Sequence, residues 1–107
     1  MAKYLIQASY TAEGAKGLLK EGGTKRRATV EAMARAVGGR LEAFYFAFGD
    51  RDAILIVDLP DNVAAAALAS AVGMSGAVKS YETVALLTAE EMDRAGKMTV
   101  DYRPPGR

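Results

Sequence analysis

Apolar and polar positions alternate at the start of the chain. Tyr4, Ile6, Ala8 and Tyr10 fall on one side of the segment from Lys3 to Tyr10, and Leu5, Gln7 and Ser9 on the other. That period of two predicts a strand with one apolar and one mixed face. Thr11-Ala12-Glu13-Gly14 offers a threonine cap to a short helical turn through Leu18 and Leu19, and Gly22-Gly23 breaks it. The period then changes. Val30, Met33, Ala34 and Val37 recur at i, i+3, i+4 and i+7, which predicts a helix from Thr24 to Val37 with one buried stripe, ended by Gly38-Gly39. Leu41 to Phe48 predicts a second strand, with Leu41, Ala43, Tyr45 and Ala47 on one face and Glu42, Phe44, Phe46 and Phe48 on the other. Gly49-Asp50-Arg51-Asp52 has turn composition, and the aliphatic run from Ala53 predicts a third strand to Leu59, joined to the second as a hairpin.

Pro60-Asp61 marks the exit from that strand, with Asp61 as N-cap of an alanine-rich helix from Asn62 to Val72. Gly73 to Gly76 closes the helix, and Val78 to Leu87 predicts a fourth strand. Thr88-Ala89-Glu90-Glu91 has the spacing of a capping box and opens a short helix to Ala95. Met98 to Tyr102 is read as a short fifth strand, and residues 103–107 as a frayed tail. The whole of 1–107 is one domain. Its order, β-α-β-β-α-β plus a C-terminal helix, is the ferredoxin-like plan of the α+β class, with two helices on one face of a four-stranded antiparallel sheet.

Two helices shelter one face of such a sheet, and a wet face should alternate apolar with polar. The second strand is apolar on both faces, and the third runs Ala53-Ile54-Leu55-Ile56-Val57 without a polar break. The rings of Phe44, Phe46 and Phe48 bury ~150 Å² or more each. At ~25 cal/mol per Å², covering a patch of several hundred Å² is worth on the order of 10 kcal/mol before association costs. The expected cover is a second copy, packed sheet to sheet as a two-fold dimer with Phe44, Phe46 and Phe48 at the interface. The alternative is that Glu90 to Tyr102 folds back over its own sheet.

Composition narrows the chemistry. The chain has no cysteine and no histidine, so disulfides, Cys/His metal sites, imidazole bases and thiol nucleophiles are all excluded. No metal and no cofactor is expected; a haem would need tyrosinate as its axial ligand. Fourteen basic residues against thirteen acidic ones give a net charge of +1, with no strong pull toward nucleic acid. The charge is uneven, eight basic against three acidic in residues 1–40 and six against ten in 41–107. Lys25-Arg26-Arg27 is read as part of a solvated helix face, since no aromatic residue lies between Thr11 and Leu41 to stack a base. The longest apolar run, Val63 to Ala69, is far short of the ~20 residues that span a bilayer, and no secretory leader is evident. The expected location is the cytoplasm, with no membrane partner.

The stretch Gly38-Gly39-Arg40-Leu41-Glu42-Ala43-Phe44-Tyr45-Phe46-Ala47-Phe48-Gly49-Asp50-Arg51-Asp52 resembles the hallmark of the GYD-domain family. The continuation through Ile54 to Pro60-Asp61, the alanine-rich helix and the ending Thr88-Ala89-Glu90-Glu91-Met92 are similar too, so the resemblance runs from Lys3 to Arg94. The family takes its name from a Gly-Tyr-Asp cluster at the hairpin; this chain keeps Gly49 and Asp52 but has Arg51 where the tyrosine is expected. The resemblance implies the dimeric α/β-barrel superfamily. It implies no activity, although relatives by fold include antibiotic-biosynthesis monooxygenases and muconolactone isomerase.

Candidate ligand-binding groups are Ser9 and Tyr10 at the end of the first strand, Tyr45 in the second, and Arg51 with Asp52 at the hairpin tip. A phenol in a cavity hydrogen-bonds a small ligand or moves a proton; an arginine–aspartate pair clamps an anion or gates a pocket mouth. Against these stand core packing for the tyrosines and ordinary turn chemistry for Arg51 and Asp52. Glu42, read on the same face as Phe44, is a candidate acid–base carboxylate, with exposure at the sheet edge as the favoured alternative. Two functions follow. One is a homo-oligomeric assembly or small-molecule-binding protein without catalysis, holding a small apolar ligand between sheet and helices. The other is a cofactor-free monooxygenase or isomerase of a small aromatic or lactone substrate, with Tyr45 or Arg51 holding an enolate-like oxyanion.

Overall fold

The computed structural model describes residues 1–107. Its elements are β1 (Ala2–Tyr10), α1 (Ala12–Glu21), α2 (Gly23–Ala36), β2 (Arg40–Phe46), β3 (Ala53–Leu59), α3 (Asn62–Met74), β4 (Val78–Leu86) and α4 (Ala89–Lys97). Each helix start has a local cause. Thr11, Asp61 and Thr88 accept from the backbone N–H of Gly14, Ala64 and Glu91, and Glu91 returns a bond to the Thr88 N–H to complete the capping box. Such a cap contributes about 1 kcal/mol. Gly22 alone separates α1 from α2. Its φ of 97° belongs to the left-handed region that a side chain avoids, so the first crossover is two helices meeting at an angle.

The four strands are antiparallel in the order β2-β3-β1-β4, the ferredoxin-like arrangement. Tyr4, Ile6 and Ala8 of β1 and Leu55, Val57 and Leu59 of β3 share one face and are buried beneath the helices. They meet Ala34 of α2 and Ala64, Ala65 and Leu68 of α3. Full burial of Val57 and Leu59 stabilises the fold by roughly 1.5–3 kcal/mol each. The Tyr4 hydroxyl donates to Asn62 Oδ1 at 2.6 Å, so this core phenol is satisfied.

Strand β2 departs from strict alternation. Leu41 pairs with Val57 and Ala43 with Ile56, so Glu42 is an extra, bulged residue. The bulge reverses the facing of every residue after it. Phe44 and Phe46, opposite Leu55 and Ala53, therefore lie on the helix-covered face, where their rings meet edge to face with centroids 5.1 Å apart. Phe44 packs against the core, and the Phe46 ring lies close over Gly23 at the start of α2. The facing expected for the aromatic interface is corrected accordingly: Phe44 packs beneath the helices, Phe46 shares that face but remains 43% exposed at its edge, and Phe48 lies beyond β2, fully exposed in the hairpin loop. Glu42 is parted from Phe44 for the same reason and pairs with Lys3 on the open face.

That open face has an apolar centre. Leu5, Ile54 and Ile56 are half-buried within the single subunit, and Tyr45 and Val84 are exposed. Ion pairs stand at both ends, Lys3 and Arg40 on Asp58 at one and Arg51 on Glu82 at the other.

The C-terminal segment covers neither face. From Ala89 onward every residue except Glu91 and Pro104 is exposed, among them Met92, Met98, Val100 and Tyr102. One expectation and one alternative fail here. Met98 to Tyr102 forms no fifth strand, because a strand needs a partner and this stretch has none. Glu90 to Tyr102 does not fold back over the sheet. The chain is elongated as a result, 57 × 32 × 23 Å, with a radius of gyration of 16.9 Å against ~13 Å for a compact chain of this length. No helix is long and apolar enough to cross a membrane.

Candidate functional site

The layer between sheet and helices is not filled. A cavity of about 790 Å³ lies there, within the ~300–1,000 Å³ range of small-molecule sites. Its floor is the covered sheet face, chiefly Ile6, Ala8, Phe44, Leu55 and Tyr81. Its roof comes from α2 with Val30 and Met33, from α3 with Leu68 and Val72, and from α1 with Gly17 and Leu18. The void has a sequence cause. Where the layers face each other at this end, the chain places small residues, Ala8 and Ala53 on strands, Ala34 and Ala71 on helices, and Gly14 and Gly17 on α1. Gly14 lets α1 sit directly on the Ala77 carbonyl, where a Cβ would collide, while a Cβ at Gly17 would meet only open space.

The mouth is charged. Glu21 and Arg26 flank the Gly22 break and are paired across it, with Arg26 Nη2 2.7 Å and Nε 3.0 Å from Glu21 Oε2. Lys20, Lys25 and Glu13 complete the rim. Tyr10 stands at this mouth. Burial pushes its phenol pKa up, opposed by the Arg26 charge and reinforced by Asp52 and Glu21. Burial likewise raises the Tyr81 phenol, opposed by the nearby Thr83 hydroxyl. Both tyrosines thus face the cavity as neutral hydroxyls at physiological pH, able to donate a proton in a hydrogen bond. The carboxylates gather nowhere into a cluster of three that would cage a cation.

Of the five residues singled out from sequence, only Tyr10 lines this cavity. Ser9, Arg51 and Asp52 are brought together, but on the far side of β1, where they fasten the hairpin loop to the sheet. Ser9 Oγ donates to the Asp50 carbonyl at 2.8 Å. The Asp52 carboxylate accepts the Tyr10 N–H at 2.8 Å, and its own N–H donates to the Ala8 carbonyl at 2.9 Å. Arg51 reaches Ser80 and Glu82. Tyr45 pairs with Ile54 on the open face and is 69% exposed.

Sequence reasoning missed Tyr81 and Arg26. Tyr81 pairs with Ala8 on the covered face, and its signal was the alternation of Tyr81, Thr83 and Ala85. Arg26 had a stronger signal. It lies one turn before Val30, at the head of the stripe that Met33 and Val37 continue, so the inward side of α2 extends back through it, even though Arg27 beside it is exposed and lies outside the cavity.

No curated protein and no solved structure matches the chain. A family model of the GYD domain does, over residues 4–95, which takes in every element that builds the cavity. The chain belongs to the GYD-domain family.

Proposed function

We propose that this GYD-domain protein binds a small, largely apolar molecule between its sheet and its helices, and does so as a homo-oligomer. The single observation that carries the reading is the unfilled interlayer of about 790 Å³, walled by aliphatic and aromatic side chains. The space is a cleft open to solvent on one side, so its apolar walls stand in contact with water instead of with other side chains. An apolar molecule seated there removes that surface from water.

The oligomer follows from the other side of the sheet. An apolar centre of Leu5, Ile54, Ile56, Tyr45 and Val84, rimmed by ion pairs, has the anatomy of an interface. A second copy set sheet to sheet in the manner of a dimeric α/β barrel covers it on both partners at once. The helices stay outside, so the ligand cavity of each subunit remains reachable.

The test is a titration with N-phenyl-1-naphthylamine, a neutral fluorophore that brightens in apolar surroundings. Saturable binding that Gly17→Leu weakens supports the cavity; binding that Gly17→Leu leaves intact refutes it. Sedimentation of the wild type beside Tyr45→Asp tests the assembly, which fails as a proposal if the wild type sediments as 11.3 kDa at every concentration.

A second reading rests on the company the cavity keeps. Two phenols and a guanidinium border one apolar space, the groups that a cofactor-free oxygenase or isomerase needs to hold an enolate-like oxyanion. Arg26 with Tyr10 or Tyr81 takes the role expected of Arg51 and Tyr45. Turnover of a phenol or lactone panel, lost in Arg26→Gln, distinguishes this reading from binding alone.

A further inference from the structure

We propose that the ligand is an amphipathic anion, a molecule whose apolar body lies along Leu55, Met33 and Leu68 and whose carboxylate, phenolate or enolate head sits at the mouth beside Tyr10 and Arg26. The inference rests on the small-molecule reading above and adds the class of head group.

Three features of the mouth point the same way. The first is its charge. Arg26 is offset by Glu21, but Lys20 and Lys25 have no carboxylate within 4 Å, and Glu13 alone opposes them. The rim therefore carries a surplus positive charge beside an apolar interior, an arrangement that repels an ammonium head and attracts a carboxylate. The second is unused donor capacity. Arg26 spends Nε and Nη2 on one oxygen of Glu21, which leaves Nη1 without a partner in the chain. The Tyr10 hydroxyl also has no hydrogen-bond partner, in contrast to the Tyr4 hydroxyl fixed on Asn62. The third is preorganisation. Glu21 holds the guanidinium across the Gly22 break, so little side-chain freedom is left to lose when an anion arrives. A purely apolar ligand would leave both donors unmatched. A cationic one would meet Lys20, Lys25 and Arg26 together.

Calorimetric titration of the full chain at pH 7 with three isosteric probes tests the class: 2-naphthoate, its methyl ester and 2-naphthylmethylamine. The expected order is naphthoate at least tenfold tighter than the ester, with the amine weakest. Arg26→Gln should weaken naphthoate about tenfold while changing the ester less than twofold, and Tyr10→Phe should cause a smaller loss of the same kind. On the wild type alone, added KCl should weaken naphthoate and leave the ester unchanged, which keeps the test valid if Arg26→Gln folds poorly. An ester that binds as tightly as the acid overturns the anion proposal while the cavity reading stands. Failure of all three probes overturns both. A naphthoate preference that survives Arg26→Gln removes Arg26 from the site and overturns the proposal as stated.

Discussion

Arg51 and Glu82 are joined across the width of β1. Arg51 Nη2 lies 3.3 Å from Glu82 Oε2, and Nη1 lies 3.2 Å from Ser80 Oγ, so the hairpin between β2 and β3 is strapped to β4 on the open face. Arg51 thus points away from the cavity.

It follows that Arg51→Ala leaves ligand binding alone. The pair is half exposed, and such bridges contribute no more than about 1 kcal/mol. The thermal midpoint should fall by no more than about 5 °C, with naphthoate affinity unchanged. A tenfold loss of affinity at an unchanged midpoint would move the binding site to the hairpin.

Phe44 and Tyr45 are neighbours in sequence and face opposite ways, so their substitutions separate folding from assembly. Phe44→Ala opens a hole beside the core and should cost about 2–3 kcal/mol in urea unfolding, somewhat below a fully buried phenylalanine. Tyr45→Asp should keep the stability of the subunit and lower its sedimentation coefficient to that of a monomer. An assembled Tyr45→Asp variant contradicts the proposed sheet-to-sheet interface, and an undisturbed Phe44→Ala one contradicts the inward facing of Phe44.

Asp58 contributes to the acid limb of stability. Lys3 Nζ at 2.8 Å, and then Arg40 Nε at 2.9 Å, hold its carboxyl below the ordinary carboxylate range. A carboxylate whose native pKa is depressed stabilises the fold above its unfolded pKa, and that share is lost as the pH falls through the native value. Lys3 has the opposite sign: its pKa is raised, first by Asp58 and then by Glu42, so its share is lost only as strong base removes the proton. Asp58→Asn should therefore lower the urea midpoint at neutral pH, and the gap from the wild type should close in acid. A gap that is constant from neutral pH into acid would exclude the ion pair as its source.

Two glycines of one helix should respond to alanine with opposite signs. Gly14→Ala forces a methyl group onto the Ala77 carbonyl and should destabilise by about 1–3 kcal/mol. Gly17→Ala meets open space and gains helix propensity, so it should stabilise by about 0.5–1 kcal/mol. Chemical denaturation of both variants checks the seating of α1; equal effects would mean that α1 does not rest on the loop before β4.

The order and type of the main elements were legible in the chain. Alternation in β1, the i, i+3, i+4, i+7 stripe of α2, the caps at Thr11, Asp61 and Thr88, and the glycine pair at 22–23 are local patterns with local physical causes, and each stands where its residues put it. The GYD kinship was legible for the same reason, as a linear run of residues around the hairpin. Tertiary structure decided the facing of things. One bulged residue, Glu42, turned Phe44 and Phe46 inward and Tyr45 outward, and a bulge is visible only in the pairing of two strands. It also decided which residues meet. Tyr10, Arg26 and Tyr81 are far apart in the chain and share one cavity because α1 and α2 pass over a part of the sheet where Ala8 and Ala53 leave room between the larger side chains. Periodicity records which side of an element is apolar; whether that side finds atoms enough to fill the space opposite depends on side chains from other elements, and that sum is taken only when the layers close.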